Sequence, residues 1–250
     1  LDQAAEEART ERRETGERRF VALTSLAELD ALLARAVEIG RLAIDTETTS
    51  LDLGRARLVG VCLAVEQGQG FYLPLAHVDE FGQRRDGQLE LAPVLERLRP
   101  VLIDPSVLKI GHNIKYDMGV LARYGLDVAP IDDTMLISYV LHGGSHGHGM
   151  DELAQRYLDY QAIPYEAVCG KGAAQIGFAE VAVDKATAYA AEDAEITLCL
   201  WQALRPRLLE QRMLTVYETL DRPIVPIVAE MERRGIKVDA QRLRRLSAEF

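Results

Sequence analysis

Three strand-like runs, 41–46, 58–65 and 70–75, are parted only by the turn signals Asp52-Leu53-Gly54 and Gln67-Gly68-Gln69-Gly70. Short connections of this kind suit antiparallel neighbours. The pattern then switches to helix–strand alternation: helix over 89–99, strand over 107–111, helix over 114–124, a brief strand over 131–133 and helix over 134–141. An antiparallel meander followed by crossover units predicts an α/β mixture.

The rest of the chain adds helices. Ser25 stands three residues before Glu28, a capping-box spacing, and Leu26, Leu29, Leu32 and Leu33 form the apolar stripe of a helix ending near Gly40. Residues 142–149 read as a Gly-rich loop, 150–157 and 183–204 as helices, and the chain beyond Arg205-Pro206 as nearly all helical. There Pro223 and Pro226 mark a helix start and Gly235 its C-cap. Residues 1–19 alternate acids and arginines with almost nothing to bury, which predicts a linker or a solvated helix.

Composition narrows the function classes. With 48% hydrophobic and 27% charged residues in 250, wholesale disorder is excluded. Twenty-nine Lys+Arg against 39 Asp+Glu give a net charge of −10, so binding nucleic acid through a broad basic surface is excluded too. A nucleic-acid role must rest on a local site, with metal ions offsetting the acid. The run 58–65 falls far short of the ~18–20 apolar residues of a membrane span. Cys62, Cys169 and Cys199 are scattered, which points away from a disulfide framework or a zinc knuckle and towards a reducing, cytoplasmic setting. The start at Leu1 and the stop at Phe250 inside a helical pattern suggest a piece of a longer protein.

The acids stand at telling spacings. Asp45 and Glu47 lie two apart at the end of an apolar strand, so both carboxylates share one face. Asn113 and Asp117 are four apart, as are Tyr189 and Asp193, which puts each pair on one face of a helix. Any one of these alone reads as a strand-end turn or a solvated helix face. Together they set four carboxylates beside segments that should be buried, an arrangement that is costly without counter-charge. Divalent cations with oxygen ligands are the simplest remedy, and four acids can hold two of them.

These segments carry a resemblance. Leu42-Ala43-Ile44-Asp45-Thr46-Glu47-Thr48-Thr49-Ser50-Leu51-Asp52 resembles the first motif of the 3′–5′ exonuclease domain of the bacterial DNA polymerase I family. Lys109-Ile110-Gly111-His112-Asn113-Ile114-Lys115-Tyr116-Asp117 resembles its second motif. Tyr189-Ala190-Ala191-Glu192-Asp193-Ala194-Glu195 resembles the third, in the form with Tyr four residues before Asp. The stretches 221–226 and 231–239 are similar to the start of that family's polymerase domain.

The resemblance implies a ribonuclease H-like fold: a mixed sheet of about five strands flanked by helices, followed by C-terminal helices. It divides the chain into a linker from an upstream domain (1–19), an exonuclease domain (20–207) and the helical start of a polymerase domain (208–250). The implied reaction is hydrolysis of the terminal phosphodiester at a DNA 3′ end, releasing a nucleoside monophosphate, in a parent protein that replicates and repairs DNA. Asp45, Glu47 and Asp193 would hold one metal ion, and Asp45 and Asp117 a second. Mg2+ is the expected ion, with Mn2+ or Zn2+ as alternatives. Tyr189, with a free pKa of about 10, is a poor base at neutral pH, so its expected role, with Glu47, is to orient the attacking water. Thr48 and Leu51 would contact the terminal nucleotide, Asn113 the substrate strand, and Tyr165, where Phe is usual, the 3′ end. Lys171 is a candidate phosphate contact. His142, His146 and His148 read as a solvated loop near the DNA path rather than a zinc site. The expected partner is DNA with single-stranded or frayed 3′ ends, bound by a monomer. Two rival functions are an exoribonuclease and an inactive domain that serves as a structural or DNA-holding module.

Overall fold

The structure, a computed structural model, describes residues 18–250. The linker expected at the N-terminus falls outside them except for its last two residues. Arg18 pairs with Glu195 at 3.1 Å, and Arg19 opens the first strand.

The sheet follows the predicted meander. β2 (Arg41–Thr48) pairs antiparallel with β3 (Leu58–Ala64), which pairs antiparallel with β4 (Gln69–Pro74). β5 (Leu108–Gly111) and β6 (Ile131–Asp133) extend it in parallel on the other side of β2. β1 (Arg19–Ala22) adds a parallel edge strand beside β4, giving the order β1-β4-β3-β2-β5-β6. The sheet therefore has six strands rather than about five. The added strand is four residues at an edge, too short to show a period of two.

Every residue of β3 is buried, because both faces of the sheet are covered. On one face Leu42, Ile44, Leu63 and Leu73 pack under α1 (Leu26–Ile39), α2 (Leu91–Ile103) and α3 (Ile114–Ala122). The capping box of Ser25 and Glu28 starts α1, and Gly40, at φ 78°, ends it. On the other face Ala43, Cys62, Ala64 and Tyr72 meet Ala186, Ala190, Ala191 and Ala194 of α7 (Val183–Glu210). A third cluster joins α4 (Thr134–His142) and α5 (Met150–Leu158) to the far end of α7 through Ile137, Leu153, Ile196, Leu200 and Leu204.

That alanine stripe brings α7 close enough to β4 that a Cβ on Gly70 would lie 1.9 Å from the carbonyl oxygen of Ala191. Backbone cannot yield there as a flexible side chain would. Gly70→Ala should therefore cost about 3 kcal/mol or more in a denaturant titration, and it should slow any chemistry that depends on Asp193, two residues further along.

Two helices run past prolines where the sequence suggested ends, and a third carries prolines at and just beyond its expected start. α2 contains Pro100, and α7 passes Pro206 to reach Glu210. Beyond it α8 (Leu214–Val216), a π turn (Tyr217–Asp221) and α9 (Arg222–Arg234) form one rod containing Pro223 and Pro226, which ends at Gly235 as expected. Each proline forgoes one backbone hydrogen bond. Buried neighbours hold the helices together across it: Leu98 and Val101, Leu204 and Leu208, Val225 and Ala229. α10 (Ala240–Glu249) follows, its start capped by Asp239. Among the described residues no helix is long and apolar enough to cross a membrane.

Candidate active site

The site forms where the C-terminal end of β2 meets helices from both layers. Register places Asp45 opposite Cys62 and Glu47 opposite Gly60, with a bulge between Glu47 and Thr48. The period of two holds, and both carboxylates lie on the face that α7 covers. Tyr189 and Asp193 reach them from one turn-spaced face of that helix, and the tyrosine side chain is hydrogen-bonded to Asp193. Asp117 comes from α3 in the opposite layer, and Thr46 donates to its Oδ1 at 2.6 Å.

The four acids feel one another. Burial pushes Asp45 up to about 6. Burial first, then the charges of Asp45, Asp193 and Asp117, hold Glu47 well above the usual carboxylate range. Asp117 and Asp193 are raised in the same way, by burial and then by Asp45. Among the described residues none of the four forms an ion pair with a Lys, Arg or His. Buried carboxylates without basic partners are a poor structural device and a good seat for divalent cations. The oxygens of Asp45 and Glu47 and the sulfur of Cys62 all lie within 4.8 Å of one another, with Asp117 and Asp193 outside that group.

Two further carboxylates hold the frame. Asp133, at the end of β6, accepts the N–H groups of Asn113 (3.1 Å) and Ile114 (2.9 Å), which begin α3, and those of Met135 (2.9 Å) and Leu136 (3.2 Å), which begin α4. One buried side chain thus caps two helices and fixes the start of the helix that carries Asp117. Asp132 beside it accepts from Trp201, Arg205, Tyr217 and Arg222.

Of the expected substrate contacts, Thr48, Leu51 and Asn113 lie on the segments that carry Glu47 and Asp117, and Tyr165 packs against Tyr189. The Thr48 and Tyr116 hydroxyls are hydrogen-bonded to each other at 2.5 Å, and the one that does not donate in that bond donates to the Ser50 carbonyl oxygen, which lies 3.1 Å from Thr48 and 2.7 Å from Tyr116. Leu51 is 89% exposed just beyond. Asn113 is exposed at the start of α3 with φ 62°, a left-handed conformation that asparagine tolerates. The Tyr165 ring, at the start of α6 (Tyr165–Cys169), stacks on Phe178 at 6.5 Å and meets Tyr189 edge-on at 6.1 Å.

Other candidates take different places. Lys171 pairs with Glu166 at 3.0 Å. His142, His146 and His148 are half-buried, their rings in tilted contact with centroids 5.0 Å apart, and His142 stacks on Tyr157 of α5. Both ring nitrogens of His148 are engaged, by Ser138 at 2.9 Å and the Gly143 carbonyl at 2.6 Å. The trio packs as a loop anchor rather than standing in solvent. Sequence reasoning passed over Cys62, Asp132 and Asp133. The parity of β3 against β2 is the signal that points to Cys62; the two aspartates show none until their partners are in place.

A family model described as 3′–5′ exonuclease matches residues 20–209. The DNA polymerase I of Rhizobium leguminosarum is 45% identical over 245 residues, covering 92% of this chain and 24% of that protein. The DNA polymerase I of Pseudomonas aeruginosa is 43% identical over 221 residues, covering 87% and 24%. The chain spans about a quarter of the length of these curated relatives. Among solved structures, the POL domain of Pol1 from M. smegmatis, in complex with DNA primer-template and dNTP, superposes with a TM-score of 0.70 at 24% identity, covering 92% of this chain and 34% of that one.

Proposed function

The chain belongs to the 3′–5′ exonuclease family, and we propose that it removes nucleotides from DNA 3′ ends by two-metal-ion hydrolysis, releasing nucleoside 5′-monophosphates. The observation that carries this reading is the convergence of four carboxylates from β2, α3 and α7 with no basic partner among the described residues. Divalent ions, Mg2+ foremost, held by Asp45, Glu47 and Asp193 and by Asp45 and Asp117, would supply hydroxide near neutral pH and offset charge at phosphorus and the leaving 3′-oxygen.

The chain's own side chains do the rest. Burial, and then the charge of Asp193, push the Tyr189 phenol far above its ordinary range, so it stays protonated and acts as a donor rather than a base. Tethered to Asp193, it orients the attacking water together with Glu47. Tyr165 offers a stacking face for the terminal base and exposed Leu51 an apolar wedge. Thr48 sits where Tyr116 holds its hydroxyl, and Asn113 borders the strand. With a net charge of −10, isolated residues 1–250 bind DNA weakly and favour single-stranded or frayed 3′ ends. We assign 20–207 to the nuclease and 208–250 to the start of a polymerase domain in a longer, cytoplasmic, monomeric protein that copies and repairs DNA.

The test is degradation of 5′-labelled single-stranded DNA, with an RNA oligonucleotide in parallel, in Mg2+ or Mn2+. The expected result is a DNA ladder shortening from the 3′ end, abolished by EDTA and by Asp45→Ala. Tyr189→Phe should slow it by about 10²-fold with DNA binding unchanged. Equal loss of binding and rate would remove the orienting role, and no ladder in either metal would overturn the nuclease reading.

A further inference from the structure

We infer that Cys62 is a sulfur ligand that lets the Asp45–Glu47 end of the site capture a thiophilic divalent cation, of the zinc and cadmium class, in competition with Mg2+. This deepens the nuclease reading and rests on it for the identity of the cation site.

The placement follows from strand register. Cys62 is the direct cross-strand partner of Asp45, on the face shared by Ala43, Ala64 and Glu47. Opposed side chains have Cβ atoms about 4.5–5.5 Å apart, and here the sulfur and the two carboxylate oxygens fall within 4.8 Å of one another. Cys62 is fully buried and its thiol is hydrogen-bonded to the Asp45 carboxyl. On its other side it pairs with Tyr72 of β4, within the cluster that holds the alanines of α7, and the charges of Glu47, Asp193 and Asp117 also reach the thiol.

The donor set sorts cations by softness. Zinc takes thiolate sulfur at about 2.3 Å and carboxylate oxygen at about 2.0–2.2 Å in a tetrahedron, which modest side-chain rotation brings within reach of all three groups. Coordination converts the thiol to thiolate and releases its proton to solvent. Mg2+ demands oxygen ligands, so under Mg2+ the thiol keeps its proton and its hydrogen bond to Asp45. One strand position thus makes a hard-ion site receptive to a soft ion.

Cadmium titration of the whole chain reads this directly, through the ultraviolet sulfur-to-cadmium charge-transfer band. The expected result is a band in the wild type, in Cys169→Ser and in Cys199→Ser, and none in Cys62→Ser or Cys62→Ala. Calorimetric titration with each metal alone should show the cadmium-to-magnesium affinity ratio falling by at least about tenfold in both Cys62 variants. A band that survives both Cys62 variants, no band in the wild type, or an unchanged ratio would each overturn the inference. The same preparations are assayed for DNA shortening in Mg2+. Shortening without a band overturns this inference and leaves the nuclease reading standing. A Cys62-dependent band without shortening supports the inference and overturns that reading.

Discussion

Asp193→Asn should raise the thermal midpoint of the metal-free protein, by more at about pH 8 than at about pH 5, while abolishing DNA cleavage. The sign follows from the direction of the carboxylate shifts. Asp45 is raised to about 6, and Glu47, Asp117 and Asp193 well above the usual range, all by burial first. In the unfolded chain these groups titrate near 4. A group raised on folding contributes stability fully below its unfolded pKa and loses it as pH rises through its folded one. The metal-free site therefore opposes folding increasingly from about pH 4 upward. For Asp45 alone the penalty is of order 3 kcal/mol once it is ionised.

Other groups act in the opposite sense. Burial lowers His77 and His112 to about 4, so they favour folding as pH rises to about 6.5. They titrate alike in wild type and variant, so the gap between the two midpoints isolates the site. Saturating Mg2+ should reverse the order, since an ion that binds only the folded state adds about 4 kcal/mol at a thousand times its dissociation constant. Calorimetric scans in EDTA and in Mg2+ at three pH values measure all of this. A gap in EDTA that stays constant with pH would show that the carboxylates ionise without penalty, and the cation argument would lose its basis.

How much of this was legible in the sequence depends on the range over which each feature is encoded. The parity of Leu42-Ala43-Ile44-Asp45-Thr46-Glu47 placed both acids on one face because a strand's period is local, and the spacing of Tyr189 and Asp193 did the same for α7. The capping box of Ser25 and Glu28 and the stop at Gly40 were equally local and appear as expected. Cys62 was less accessible: its pairing with Asp45 depends on a register set across a loop and next to a bulge, which shifts parity by one residue. The helices through Pro100, Pro206 and Pro226 defied local rules because buried side chains on both sides of each proline outweigh one lost hydrogen bond. The partners of Asp132 lie 69 to 90 residues further along the chain, so nothing near it in sequence marks it.

Asp132→Ala should destabilise the protein by about 3 kcal/mol, the cost of leaving two half-buried arginines short of their counter-charge and two buried donors unpaired. Asp132 is 1% exposed and accepts from Trp201 Nε1 at 2.7 Å, Arg205 Nε at 3.1 Å, the Tyr217 hydroxyl at 3.1 Å and Arg222 at 3.3 Å. Glu218 pairs with the same two arginines, so two cations face two anions. Removing one anion leaves an excess positive charge, with the indole and phenol donors unpaired as well. The loss should also reach the active site. The Tyr217 hydroxyl accepts from the backbone N–H of Asp133 at 2.9 Å, and the Asp133 carboxylate holds the first N–H groups of α3, four residues before Asp117. The network therefore ties the π turn and α9 to the helix that presents Asp117. Tyr217→Phe, which keeps the ring packed but removes both hydroxyl bonds, should cost less, about 1–3 kcal/mol. Denaturant titration of both variants alongside cleavage rates tests the link. An Asp132→Ala protein within about 1 kcal/mol of wild type would show that Glu218 alone satisfies the arginines. A large stability loss with full cleavage by the folded fraction would show that the network holds the rod in place without positioning Asp117.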